Sequence, residues 1–144
     1  LLQPLQRLVR VMVKLNPDIR IELHAPENEV VFAGETEDFE EIVGNLLENA
    51  MKWARSEVSV SLRASGGADQ DRTAMLVIED DGPGIPPERA AEALKRGKRL
   101  DETKPGSGLG LAIVSDLVDE YGGTLELRRA EIGGLQVVVQ LPAG

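Results

Sequence analysis

Glu41, Asn45, Asn49 and Lys52 fall at i, i+4, i+8 and i+11 in a stretch that reads as one helix, residues 36–54, so they line a single polar stripe. That stripe lies about 100° around from the apolar one on the same helix. Two amide oxygens and an ammonium at the edge of a buried face suit a metal–phosphate group. Mg²⁺ takes few protein ligands, keeps some waters and draws the rest from substrate phosphates. A solvated helix face has the same appearance, and spacing alone leaves both readings open.

Two glycine-bearing segments extend the set. Asp80-Asp81-Gly82-Pro83-Gly84 follows a continuous apolar strand. A carboxylate at a strand end accepts a hydrogen bond from an amino group, such as the exocyclic amine of adenine, and glycines let backbone approach a flat ring. The same residues are also good tight-turn chemistry. Gly106-Ser107-Gly108-Leu109-Gly110-Leu111 opens a helix, where unpaired N–H groups and the dipole favour phosphate. No Gly-Lys-Ser/Thr follows, as a Walker loop requires, and no strand precedes it, as a dinucleotide fingerprint requires. The single histidine, His24, alternates outward on a strand outside any catalytic constellation and reads as a surface residue. Trp53 reads either as packing at the helix end or as a stacking surface for a base.

Hydrophobic periodicity supplies the elements that must hold these residues. Leu5, Leu8, Val9, Met12, Val13 and Leu15 have mostly helical spacing over 3–15, and Asn16-Pro17-Asp18 breaks the helix. Ile19, Ile21 and Leu23 alternate with polar residues as a half-buried strand, and Val30 to Ala33 reads as a short return strand. Phe39, Ile42, Val43, Leu46, Leu47, Ala50 and Ala54 form the apolar stripe of the main helix. Thr36 is its expected N-cap, with Glu37 and Asp38 placed well against the dipole. Strands over 58–62 and 74–78 follow, then a short helix over 88–94 and an aperiodic loop over 95–108. A helix over 109–121 is stopped by Gly122-Gly123, and a hairpin around Gly133-Gly134 closes the chain. The expected class is α+β, a two-layer sandwich whose mixed, mostly antiparallel sheet is covered by helices on one face.

The chain has 144 residues, enough for one domain with a real core, taken as 1–144. Aromatics make up only 3%, so that core must be aliphatic. Cysteine is absent, which excludes disulfides and thiolate metal sites. A net charge of -9 argues against a nucleic-acid surface, yet Lys95, Arg96, Lys98, Arg99 and Lys104 crowd one stretch, the pattern of a small anionic ligand or acidic partner. The chain begins Leu1-Leu2-Gln3 without an initiator methionine, so it is expected to be a piece of a longer protein.

Taken together, the three motifs resemble the catalytic and ATP-binding domain of sensor histidine kinases, which share the Bergerat fold with gyrase, heat-shock chaperone and mismatch-repair ATPases. Asn45-Leu46-Leu47-Glu48-Asn49-Ala50-Met51-Lys52 looks like that family's N box, Asp80 to Ile85 its G1 box, and Gly106 to Val114 its G2 box. The segment from Arg96-Gly97-Lys98-Arg99 to Pro105-Gly106 resembles the PhoQ-like branch. The resemblance implies that Asn49 holds Mg²⁺ with Asn45 assisting, and that Lys52 touches a phosphate of ATP. It makes Asp80 the acceptor for the adenine amine, beside Gly82, with Gly84 and Ile85 lining the pocket and Trp53 against the base. Residues 95–108 become an ATP lid, placing Lys104, Gly106, Ser107, Gly108, Leu109 and Gly110 near the phosphates.

The implied partners are a phosphoacceptor helical hairpin of the same kinase and a response-regulator receiver domain. The implied whole is a membrane-anchored homodimer in the bacterial inner membrane, with this domain in the cytoplasm. Two departures stand out. Ala93-Leu94-Lys95-Arg96 replaces the phenylalanines of the family's F box, and Ser107 stands where PhoQ-like kinases carry a metal-reaching glutamine. The alternatives are a hydrolase of the same fold and an anti-sigma-type serine kinase. Hydrolases place a glutamate one turn before the metal asparagine, whereas Asn45 is an amide and cannot accept a proton at neutral pH. No histidine here is followed by an acidic residue, since His24 precedes Ala25. The isolated chain is therefore expected to bind ATP without autophosphorylating; incubation with γ-labelled Mg-ATP should leave it unlabelled, and label retained on it would contradict this.

Overall fold

The computed structural model describes residues 2–24, 34–65, 73–82 and 110–142. Its elements are α1 (Leu2–Leu15), β1 (Arg20–His24), α2 (Thr36–Trp53), β2 (Glu57–Ser65), β3 (Thr73–Asp80), α3 (Gly110–Glu120), β4 (Thr124–Arg129) and β5 (Leu135–Pro142). The return strand read over 30–33, the short helix over 88–94 and the loop over 95–108 lie outside the described residues.

The strands form one sheet in the order β1-β2-β3-β5-β4. Only β1 and β2 pair in parallel, joined by the α2 crossover; the other pairs are antiparallel. This is the mixed, mostly antiparallel sheet that the strand spacing predicts. Alternation sets the faces. Ala74, Leu76, Ile78 and Asp80 of β3 point into the molecule with Val58, Val60 and Leu62 of β2 and Val137, Val139 and Leu141 of β5. The opposite face carries Ser59, Ser61, Glu79, Gln136 and Gln140 around Met75, Val77 and Val138.

The helices cover the inward face. Phe39, Ile42, Val43, Leu46 and Leu47 of α2 are at most 1% exposed and join Leu5 and Val9 of α1 and Leu111, Val114 and Val118 of α3 in one aliphatic cluster. Each fully buried side chain of this size contributes about 1.5–3 kcal/mol. The surface pairs Arg7–Glu40, Arg20–Glu22 and Arg128–Glu126 contribute up to about 1 kcal/mol each, so burial sets the fold. His24 lies on this surface, 63% exposed, with Nε2 3.6 Å from Glu22 Oε2. No helix among the described residues is long and apolar enough to cross a membrane.

Both ends of α2 depart from simple capping. The N-cap is Glu35, not Thr36, and no side chain caps it. Asp38 and Phe39 donate to the Glu35 carbonyl, while Glu35 N donates to the Tyr121 hydroxyl, which itself donates to Asp38 Oδ2. This tertiary contact from the end of α3 takes the N–H of the N-cap residue itself, not one of the first-turn N–H groups that a threonine side chain would accept from. That contact also ties the two helices together. α3 ends at Gly122, whose φ of +68 suits glycine, and Gly123 N closes the turn on the Val118 carbonyl.

At the other end, the Asp81 carboxylate accepts from Arg55 N at 2.7 Å, Ser56 N at 3.0 Å and Ser56 Oγ at 2.8 Å. Asp81 N donates to the Glu57 carbonyl and Arg20 N to that of Ser56, so this corner fastens β1, β2 and the end of β3 together. Slight desolvation raises the Asp81 pKa, but the donors at Ser56, Glu57 and Arg55 outweigh it and hold the carboxyl down to about 2. A carboxyl depressed in the folded state stabilises the fold above its unfolded pKa and loses that contribution as pH falls through the folded value. The stability difference between wild type and Asp81→Ala, from urea unfolding at several pH values, should shrink steadily from about pH 5 to about pH 2. A difference independent of pH across that range would rule out the carboxylate clamp.

Candidate functional site

The period of two along β3 carries its inward face to the last residue, so the strand ends in a carboxylate pointing at the core. Asp80 is 2% exposed, the one buried charged residue among those described. Its Oδ1 accepts from Gly82 N at 2.9 Å and from Leu135 N at 3.4 Å, and its carbonyl accepts from Gly134 N at 3.0 Å. No donor among the described residues sits on Oδ2. Burial pushes the Asp80 pKa up, and the neighbouring Asp81 charge adds to this. The donors at Gly82 and Leu135 pull it down without cancelling the rise. Burial thus outweighs the donors that the described residues supply to this carboxylate.

Gly82 presses against the end of α2. A Cβ there would lie 2.2 Å from the Trp53 carbonyl oxygen and 3.1 Å from Asp80 Oδ1. The segment after β3 and the C-terminal end of the asparagine-bearing helix are therefore in backbone contact, which joins two of the three motifs.

On α2, Glu41 is exposed while Asn45, Asn49 and Lys52 are half-buried, so the polar stripe lies along the margin of the buried face. The Asn45 Nδ2 donates to the Glu41 carbonyl at 2.8 Å. That bond uses the amide's donor side and leaves the oxygen, the atom a hard cation would take, out of it. The Lys52 Nζ stands 5.6 Å from the Trp53 ring centroid, a cation–π arrangement that pairs two of the predicted site residues at the helix end. Trp53 is half-buried.

The third motif enters through α3. That helix packs beside α2, and its end is tied to the start of α2 through Tyr121 and Asp38, so the two run antiparallel. Gly110, the first residue of α3, is eleven residues before Tyr121, and Asn49 is eleven residues after Asp38. At about 1.5 Å per residue each lies some 16 Å along its own helix from the tie. Gly84, Ile85, Lys104, Gly106, Ser107, Gly108 and Leu109 lie outside the described residues. The Gly134–Leu135 contact on Asp80 spans 55 residues and is not legible in the sequence beyond the glycine pair of the hairpin.

Comparison with known proteins agrees with this geometry. A family profile described as histidine kinase-, DNA gyrase B- and HSP90-like ATPase matches residues 34–144. The chain is 41% identical over 126 residues to the sensor protein kinase CarS of Pseudomonas aeruginosa, covering 88% of this chain and 27% of CarS. It is 37% identical over 111 residues to the sensor protein PhoQ of Escherichia coli, covering 77% of this chain and 22% of PhoQ. The chain thus spans about a quarter of the length of these relatives. Among solved structures, the mycobacterial sensor histidine kinase MprB superposes with a TM-score of 0.82 at 31% identity, covering 98% of this chain and 94% of that one. By profile, relatives and architecture, this chain belongs to the histidine kinase-, DNA gyrase B- and HSP90-like ATPase family, and its α+β sandwich is the Bergerat fold of sensor-kinase ATP-binding domains.

Proposed function

We propose that this chain is the catalytic, ATP-binding domain of a two-component sensor histidine kinase. It donates the γ-phosphoryl group of Mg-ATP to a histidine on a separate helical hairpin of the same protein. The observation that carries the reading is the buried Asp80 carboxylate, anchored at Oδ1 by two backbone donors and held against its own desolvation. An exocyclic amine placed on Oδ2 would offset that desolvation, and a 6-oxo group, which is an acceptor, would not.

In this reading the base lies against the Gly82 segment with Gly84 and Ile85, and Trp53 borders it. The phosphates run toward the C-terminal half of α2 and the start of α3. Asn49, assisted by Asn45, presents amide oxygens to Mg²⁺, and Lys52 meets a phosphate. The N–H groups of the first turn of α3, led by Gly110, add positive potential there. Lys104, Gly106, Ser107, Gly108 and Leu109 complete the phosphate contacts from the lid. Bound there, Mg²⁺ would supply positive charge against the phosphates. The protein's own part is positioning and charge stabilisation, which account for most of catalysis in phosphoryl transfer. Asn45 directs the outcome: its Nδ2 is committed to Glu41, and an amide cannot take a proton from water, so the phosphate goes to an external nucleophile. The remaining partner is a receiver domain. The full-length protein is read as a membrane-anchored homodimer with this domain in the cytoplasm.

The test is reconstitution with a separately expressed hairpin domain from a PhoQ-like relative, using γ-labelled Mg-ATP. Acid-labile label should appear on the hairpin histidine. Asp80→Asn should weaken ATP binding about ten- to a hundredfold, the range expected for spoiling one buried hydrogen bond. Asn49→Ala should abolish transfer while leaving Mg-free nucleotide binding near wild type. Label on serine, or steady hydrolysis of ATP without any partner, would contradict the proposal.

A further inference from the structure

The Asp80 carboxylate is held from the far end of the chain as well as from its own loop. β3 and β5 pair in register as far as Glu79 opposite Gln136, and the next rung brings the start of β5 onto Asp80. There Gly134 N donates to the Asp80 carbonyl at 3.0 Å and Leu135 N to Oδ1 at 3.4 Å. The approach is closer than any side chain would allow. A Cβ on Gly134 would lie 2.0 Å from Asp80 Oδ1, 2.4 Å from the Asp80 carbonyl oxygen and 2.7 Å from Gly82 N. These atoms are backbone and a buried carboxylate, so none can yield without moving the acceptor itself.

We propose that the β4–β5 turn, through Gly134 and the Leu135 amide, is the positioning element that aims Asp80 Oδ2 at its ligand and so sets selectivity for a 6-aminopurine nucleotide. The inference rests on the reading of Asp80 as the acceptor for the adenine amine. Hydrogen-bond strength falls steeply with distance and angle. Relieving a contact that short displaces the carboxylate and so weakens its bond to the ligand. Gly134 and Leu135 act through Asp80 and need no contact with the nucleotide.

Two neighbouring glycines separate this role from a merely structural one. Gly134 does not have a positive φ, so Gly134→Ala carries no φ penalty and acts through its collision with Asp80 and Gly82 N. Gly133 has a φ of +115 with nothing within 4 Å of its would-be Cβ, so Gly133→Ala strains the turn without touching Asp80. The readout is the ratio of affinities for ATP and for purine riboside triphosphate, which lacks the 6-amino group, measured with Mg²⁺. Wild type should favour ATP clearly. Gly134→Ala should lower the ratio about tenfold or more, whereas Gly133→Ala should lower thermal stability and leave the ratio within about twofold.

A wild-type ratio in folded Gly134→Ala, alongside a collapsed ratio in Asp80→Asn, overturns the positioning role and leaves the site reading intact. A wild-type ratio in Asp80→Asn overturns the site reading and this inference with it. Where Gly134→Ala does not fold, NMR of the wild-type chain decides: the Leu135 amide proton should shift with the Asp80 carboxyl titration. A Leu135 amide indifferent to that titration overturns the proposal.

Discussion

One buried carboxylate fixes how the parts of this domain meet. Asp80 ends β3 on the inward face, where the end of α2, the segment carrying Gly82 and the β4–β5 turn converge on it. A charge in that position is unfavourable by desolvation, and two backbone donors offset only part of the loss. A sequence selected for stability alone would place another aliphatic residue there, in phase with Ala74, Leu76 and Ile78. Glycines at 82 and 134 are needed because backbone crowds the carboxylate from two sides.

The rest of the fold serves this junction. The aliphatic cluster fastens α2 to the sheet, so Asn45 and Asn49 keep one height above β3. The Tyr121–Asp38 tie sets the offset of α3 along α2 and hence where its N-terminus falls. Asp81, next to Asp80 in sequence, has the opposite character: half-exposed, well supplied with donors, its pKa lowered where that of Asp80 is raised. Adjacent carboxylates on opposite faces of a strand end thus differ in setting, one clamping the corner and one buried where the proposed function places the adenine amine.

Much of this is legible in the sequence, for physical reasons that can be named. Period-two alternation through Ala74, Leu76 and Ile78 gives the phase that puts Asp80 inside. The 3.6-residue period of α2 puts Asn45, Asn49 and Lys52 at the margin of its apolar stripe. What escapes such reading depends on partners distant in the chain. Glu35 rather than Thr36 is the N-cap of α2, and its N–H is held by the Tyr121 hydroxyl, 86 residues on. Leu135 reaches Asp80 across 55 residues. A glycine pair in a hairpin reads as turn chemistry until the strand register shows what the second glycine approaches.

The central claim is that Asp80 makes this a site for an adenine nucleotide. Calorimetric titration of the chain with non-hydrolysable ATP and GTP analogues, each with Mg²⁺, tests it most directly. The account predicts saturable one-to-one binding of the ATP analogue and affinity for the GTP analogue at least about tenfold weaker. Equal affinity for the two, or no binding of either, would contradict it.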